Sequence, residues 1–369
     1  MYKEIISPIL DRLPSEEMHI LVRDSLHLFE LTPPTLKLLE FIFAYRRTRV
    51  TSERLKVNLA GIELDNPVMV AAGWDKKGVT VKALHRLGAS AVEVGTVLPK
   101  PQPGNPKPRQ FVAQKGSVAL NRLGFNSPGE QIIWANLQSY KDSHIPIGIS
   151  LGKNKDTKPK DAPLDHSLVA YNLYHEADYF VINVSSPNTP GLRELQDKDP
   201  LAEIVTAVNG EVDQYKLRKP LFVKIAPDLT LEAVDDVIDV AITHNLAGII
   251  AANTTINQQL KTAYGWKDDM GGLSGDNEIF RRMSTRQVAH IRTTAPQLFV
   301  VGVGGVKDGL SAWEKIVAGA NAVQVMTALR GEGLSVFGKI NLELINLMDQ
   351  RGVKNISDIV GQEAHKYLS

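Results

Sequence analysis

No cysteine occurs among the 369 residues. Disulfide frameworks, thiolate metal sites and cysteine nucleophiles are therefore excluded, and a reducing compartment is compatible with the chain. An excess of charge of one sign is missing too. Lys and Arg number 42 against 41 Asp and Glu, so no global field draws the protein to nucleic acid. No run approaches the ~20 continuous apolar residues of a membrane span. Lys3, Glu4, Asp11 and Arg12 interrupt the early apolar residues, which argues against a signal peptide. The reading is a protein that is soluble or lies on a membrane surface. With 43% hydrophobic residues, the chain has material for one large domain with an appendage, or for two modest domains.

From about Leu55 onward, short β-branched runs end in Gly, Ser, Thr or Asn and alternate with segments of helical spacing. Eight such runs are Val68–Gly73, Ala91–Val97, Pro146–Gly152, Tyr179–Ser186, Leu221–Pro227, Gly248–Thr255, Leu298–Gly305 and Ala322–Leu329. Most are nearly continuous in apolar residues, as parallel strands buried on both faces must be. Alternation with helices implies right-handed βαβ units. The fold class is thus α/β, and eight units in this length predict a (β/α)8 barrel, with a doubly wound open sheet as the competitor. Polar and glycine residues gather at the C-terminal end of each run, which favours the barrel. Leu55–Leu64 reads as a hairpin around Ala60-Gly61 that plugs the N-terminal mouth. Pro99–Arg109 reads as a long extended loop.

The first 45 residues differ. They predict two or three short amphipathic helices, broken at Pro14 and at Pro33-Pro34. The division is a helical extension, 1–45, and a barrel, 46–369. Apolar residues from Leu36 to Tyr45 run into Arg46, Arg47 and Arg49. That suits a helix in a bilayer interface with its cations among lipid phosphates, and equally a helix packed on the barrel with a solvated basic end.

Chemistry-bearing residues cluster after the strands. Gly73 in Ala72-Gly73-Trp74-Asp75-Lys76 lets a ligand approach the backbone, and Lys76 is either a carboxylate-binding cation or a solvated loop residue. Asn121-Arg122-Leu123-Gly124-Phe125-Asn126 offers carboxamides, whose paired donor and acceptor match the imide and urea edges of a pyrimidine. In Asn183-Val184-Ser185-Ser186-Pro187-Asn188, strand alternation points Asn183 and Ser185 to one side and Ser186 to the other. The string reads as a substrate-capping segment. Lys224 is a charge inside a buried strand, either a structural ion pair or a cation beside an electron-rich cofactor. Asn253-Thr254-Thr255 adds amide and hydroxyl groups. Gly271–Gly275 is read as a loop. Gly302–Gly305 lies where barrels receive a phosphate dianion, and it lacks the spacing of a Rossmann fingerprint.

In order and in register, the strings AAGWDK, EVGTVLPKPQPGNPKPR, NRLGFN, LGKNKDT, NVSSPNTPGL, VKIAPDL, NTT, GGLSG and VGVGG resemble the dihydroorotate dehydrogenase family over nearly the whole chain, with the extension of its quinone-reducing class. The resemblance implies one FMN per chain, no metal, and Ser186 as the base. Ser186 would take a C5 proton from dihydroorotate while the C6 hydride passes to the flavin, giving orotate. It further implies substrate contacts at Lys76, Asn121–Phe125 (Arg122, Leu123 and Gly124 between them), Asn183, Asn188, Asn253 and Thr254. Implied flavin contacts are Ala72, Gly73, Trp74, Asp75, Lys76, Thr96, Ser150, Asn183, Lys224, Ala252, Gly275, Gly305, Met326 and Thr327. Ubiquinone or menaquinone would enter along the extension near His19 and Arg109; a capped surface histidine is the other reading of His19. A monomer in peripheral contact with lipid, on the cytoplasmic face of a bacterial inner membrane, completes the expectation.

Three positions depart from the family pattern. Ser150 stands for an asparagine, Ala252 for a threonine and Met326 for a tyrosine, each losing hydrogen-bonding capacity of about 1 kcal/mol. Other pyrimidine-reducing flavin barrels need cysteine acids or basic RNA-binding surfaces, which this chain lacks. A non-redox phosphate-binding isomerase or lyase barrel would be colourless.

Overall fold

The computed structural model describes residues 14–44, 50–113, 117–267 and 269–368. Eight parallel strands close into a barrel: β3 (Val68–Val70), β4 (Val92–Val97), β7 (Ile147–Leu151), β8 (Tyr179–Asn183), β9 (Leu221–Ile225), β10 (Gly248–Ala251), β12 (Phe299–Val303) and β13 (Ala322–Val325). They pair in chain order around the ring, with β13 against β3. Seven of the eight are buried almost throughout and β12 is open only at its ends, which is why their sequences carry long apolar runs rather than alternation.

The strands end earlier than the apolar runs. β8 stops at Asn183 and not Ser186, β3 at Val70 and not Gly73, and β13 at Val325, with residues 328–331 already helical. Residues at those ends leave the hydrogen-bond ladder and turn across the barrel mouth. β-Branched content marks where a strand is possible; ladder partners decide where it stops.

Gly271–Gly275, expected as loop, holds β11 (Gly272–Gly275). It pairs antiparallel with β6 (Val118–Asn121), which pairs with β5 (Gln110–Ala113). This three-stranded sheet has its own small core of Val118, Leu120, Leu260, Leu273 and Phe280. Glycine carries almost no strand propensity, so only the pairing with β6 makes β11 a strand. The expected hairpin is β1 (Val57–Leu59) with β2 (Ile62–Leu64), and its Leu55, Val57, Leu59 and Leu64 join the main core.

Two helices precede it, α1 (Ser15–Glu30), entered at Pro14, and α2 (Pro33–Ala44). Leu26 and Leu39 are buried in the barrel's cluster, while Leu28, Leu31, Leu38 and Phe41 are exposed, Phe41 by 75%. The helices thus pack on the barrel and still present an apolar outer face. Residues 1–13, where a further helix was expected, lie outside the described residues. So do Arg46, Arg47 and Arg49 and the boundary at 45–46. Among the described residues no helix is long and apolar enough to cross a membrane.

Glycines set the closeness of the barrel. A Cβ on Gly248 would lie 1.9 Å from the Phe299 carbonyl oxygen and 3.0 Å from the Phe222 ring. Because the first contact is backbone, relaxation requires strands β10 and β12 to part. Gly248→Ala is therefore expected to lower unfolding stability by about 2–3 kcal/mol; a chemical-denaturation midpoint equal to wild type would refute it.

Candidate active site

Over the C-terminal ends of the strands lies a cleft of about 1200 Å³. Asn183 and Ser186 both line it, with Asn188, so the alternation that placed Asn183 and Ser186 on opposite sides fails. The reason is that residues 184–186 are not strand. Ser186 is 7% exposed, and its Oγ accepts the N–H of Asn188 at 3.3 Å. The Asn188 amide donates to Asn121 Oδ1 at 3.1 Å. Ser185 turns beneath the cleft, donating to Asn183 Oδ1 at 3.0 Å and accepting from Asn253 Nδ2 at 2.9 Å. Asn183 Nδ2 donates to Thr96 Oγ1 at 2.8 Å. The amides are locked by one another before any ligand arrives.

Thr254 Oγ1 is buried at the cleft with no hydrogen-bond partner among the described residues. A Cβ on Gly272 would fall 1.9 Å from it, so glycine there is what gives the hydroxyl room. An unpaired polar atom in such a place costs free energy unless a ligand satisfies it.

Lys76 is half-buried, lines the cleft and donates to Asn126 Oδ1 at 2.5 Å. Burial, with the Arg109 and Arg23 cations nearby and against the pull of Glu16, brings its pKa down to about 7. A carboxylate placed beside it would restore the charged form. Lys224, on β9, lines the cleft and makes the ion pair that one of its two readings called for. Its Nζ lies 3.6 Å from Glu93 Oε1 and donates to Gln324 Oε1 at 3.3 Å, while Gln324 donates to Glu93 Oε2 at 2.5 Å. Glu93 and Gln324 were missed from the sequence. The signal was available in Glu93, a charge inside a buried strand like Lys224 itself.

Ala72, Gly73, Thr96, Ala252, Gly275, Gly305, Met326 and Thr327 line the same cleft, as do Leu123, Gly124, Phe125 and Asn253. Four other expected contacts do not. Arg122 turns outward to Asp269 at 3.1 Å, to the Pro108 carbonyl and over the Phe111 ring. Trp74 packs edge-on against His19, with centroids 5.2 Å apart. Ser150 lies behind Thr96, hydroxyl to hydroxyl at 3.1 Å. Asp75 is fully buried and accepts the backbone N–H groups of residues 77–80 and the Thr80 hydroxyl.

His19 and Arg109 lie outside the cleft, on the α1 side. His19 is half-buried, and burial first, then nearby cations, brings its pKa down to about 4. Its Nε2 sits 2.8 Å from the Trp74 carbonyl; since a carbonyl only accepts, that nitrogen carries the hydrogen. Arg109 is buried in a bidentate pair with Glu16, 2.7 Å at the shortest. Among the described residues no cluster of three or more His, Asp or Glu has the arrangement of a metal site.

The residues present fit a flat, polar cofactor carrying a phosphate. Gly73 has φ +100°, and a Cβ on it would meet only Met326 Cε at 4.0 Å, so its bare backbone faces open cleft. Gly304 and Gly305, at φ +107° and +74°, line the cleft as well.

Fold and cleft together define a barrel enzyme with an amide-lined ligand site. The model of the dihydroorotate dehydrogenase family matches residues 54–348. A relative in Anaeromyxobacter dehalogenans strain 2CP-1, named dihydroorotate dehydrogenase (quinone), is 38% identical over 96% of this chain and 95% of its own length. One of the same name in Gloeobacter violaceus is 42% identical over 88% of each. The ligand-free DHODH of Eimeria tenella superposes with a TM-score of 0.81 at 36% identity, covering 89% of this chain and 99% of that one. The same organism's DHODH in complex with ferulenol gives 0.79 at 35%, covering 90% and 96%. The chain belongs to the dihydroorotate dehydrogenase family.

Asp75 makes a structural prediction of its own. Asp75→Ala leaves four N–H groups, three of them buried, and a buried hydroxyl without an acceptor, and is expected to cost about 2–4 kcal/mol of stability. Calorimetry would check this, and a change below about 0.5 kcal/mol would remove the capping role.

Proposed function

We propose that the protein oxidises dihydroorotate to orotate in pyrimidine biosynthesis and passes the electrons through FMN to a membrane quinone. The convergence of Ser186, Asn121, Asn183, Asn188, Asn253, Thr254 and Lys76 on one cleft carries this reading. FMN, when bound, supplies the two-electron acceptor that no side chain of this protein can provide.

The protein's own groups do the rest. The Asn amides and Thr254 meet the donor and acceptor edges of a dihydropyrimidine, and Lys76 meets its carboxylate. Ser186 takes up the carbon-bound proton. An alcohol is a poor base, so negative character on Oγ must be stabilised as its own proton passes to water at the cleft mouth, where Ser186 keeps 7% of its surface exposed. The Asn188 N–H, directed at that oxygen, does this, and burial keeps water from competing. Lys224, held by Glu93 and Gln324, keeps a positive charge under the cleft floor, where it favours negative charge accumulating above it. Gly73, Ala72, Thr96, Ala252, Met326 and Thr327 would hold the ring system, and Gly275 and Gly305 the phosphate end. Thr96 supplies the hydroxyl where Ser150 lies too deep. Trp74, Asp75 and Arg122 support the site from behind.

Residues 1–45 form the membrane- and quinone-facing extension, and 46–369 the FMN barrel. The exposed Leu28, Leu31, Leu38 and Phe41 support peripheral lipid contact, with His19 and Arg109 lying between α1 and the cleft. Ubiquinone or menaquinone is the acceptor, and the protein acts as a monomer on the cytoplasmic face of the inner membrane.

Ser186→Ala is expected to purify yellow, with normal FMN content, yet to lose at least about a hundredfold in the rate at which dihydroorotate bleaches the flavin. Near-wild-type bleaching would falsify the assignment of the base. Lys76 gives a pH prediction whose sign follows from its charge. It is charged below about 7, and only the charged form attracts a carboxylate, so orotate affinity is lost as pH rises through 7. Binding about tenfold weaker at pH 8.5 than at 6.5 is expected, followed by the orotate-induced shift of the flavin spectrum. Lys76→Met should bind weakly at both pH values; a wild-type profile in that variant rules Lys76 out.

A further inference from the structure

Helix α1 touches the barrel through more than apolar packing. Glu16 grips Arg109 with both carboxylate oxygens, at 2.7 and 3.0 Å, and the two side chains are only 13% and 7% exposed. Burial works against the charge of Glu16, yet the hydrogen bonds and cation of Arg109 hold its pKa below the ordinary carboxylate value. The remaining guanidinium nitrogen of Arg109 donates to the carbonyls of Pro103 and Asn105, at 2.6 and 2.8 Å. Arg109 thereby fixes the turn at 103–105, where Gly104 has φ +79° and no room for a Cβ. A Cβ there would lie 2.6 Å from Arg109 Nη1, 2.4 Å from the Leu123 carbonyl and 2.9 Å from Asn126 Cβ.

Asn105 carries the connection onward. Its Nδ2 donates to the Arg122 carbonyl at 3.0 Å and to the Asn188 carbonyl at 3.3 Å, and its backbone N–H donates to Leu123 at 3.0 Å. Gly124 closes over its amide, since a Cβ there would lie 2.6 Å from Asn105 Cγ. Asn188 is the residue whose N–H meets Ser186 and whose amide meets Asn121. An unbroken line of polar contacts therefore runs from α1 to the reacting hydroxyl: Glu16, Arg109, Asn105, Asn188, Ser186. A second contact, His19 to the Trp74 carbonyl, ties the same helix to the segment that bears Lys76.

We infer that Glu16 and Asn105 are positioning residues for the substrate half of the reaction, so that docking of the membrane-facing helix sets the geometry of the Ser186 loop. The extension then serves both halves of the cycle, and occupancy of the substrate site feeds back on the helix, because coupling between two sites is reciprocal. This rests on the activity proposed above. A separate quinone module would instead leave substrate chemistry untouched when its contacts are cut.

The test is a double-mutant cycle in the FMN-loaded, full-length protein with no quinone present. Its readouts are the rate of flavin bleaching by dihydroorotate and the dissociation constant of orotate. Glu16→Ala and Asn105→Ala are each expected to weaken orotate binding and slow bleaching about fivefold or more. The double variant should be little worse than Asn105→Ala alone, because both cut one line. Glu16 sits on an outer helix, so its variant tests the claim even if Asn105→Ala does not fold; Asn105→Ser then completes the cycle. Orotate should also slow amide hydrogen exchange in α1 of the wild type and not in Asn105→Ala, which a merely structural role would not produce. Additive effects, unchanged bleaching in Glu16→Ala, or α1 exchange indifferent to orotate would each overturn the inference. Failure of the wild type itself to be bleached by dihydroorotate would strike the proposed activity instead.

Discussion

Eight strands buried on nearly all sides can close a barrel only if their ladders are complete, and that requirement decides where polar chemistry sits. Along β4, β7, β8 and β9 no residue is open to solvent. Residues that leave the ladder must do so at the ends, where backbone groups find other partners. At the C-terminal ends they all leave toward the same mouth. Ser186, Asn188, Asn253 and Thr254 meet there because their strands stop at a common level, with β11 and β6 laid across the opening.

The exceptions inside the barrel are the charged and amide side chains of Glu93, Lys224 and Gln324, one from each of three strands. A buried ion pair contributes little net stability, because desolvation offsets much of the attraction, but breaking it leaves an unpaired charge. Its value is positional: it holds a cation under the cleft floor in a dry setting where its field is weakly screened. Lys76 is the complementary case. With an amide as its direct partner and cations as neighbours, it is poised to gain charge when an anionic ligand arrives.

The helical extension follows the same economy of contacts. Leu26 and Leu39 anchor it in the core, and Glu16 and His19 reach the two loops that flank the cleft. Its outer apolar residues remain free for another surface. The two helices thereby join an exposed apolar face to the loops that flank the cleft.

Apolar runs ending in Gly, Asn and Ser made the eight strands, the hairpin at 57–64 and the helix starts after Pro14 and at Pro33 legible, because burial on both faces and the geometry of proline write themselves into composition. The same strings named most of the cleft. What composition could not carry was pairing and direction. β11 is glycine-rich and is a strand only because β6 lies beside it. Asn183 and Ser186 share a side only because the ladder ends between them. Arg122, Trp74 and Ser150 sit in the right strings but point away, since neighbours distant in the chain, Asp269, His19 and Thr96, claim their polar and aromatic groups, and Asp75 turns back onto the N–H groups of its own loop. Local sequence determines which conformations and chemistries are on offer; the direction in which a side chain projects is settled by partners that only the folded chain brings near.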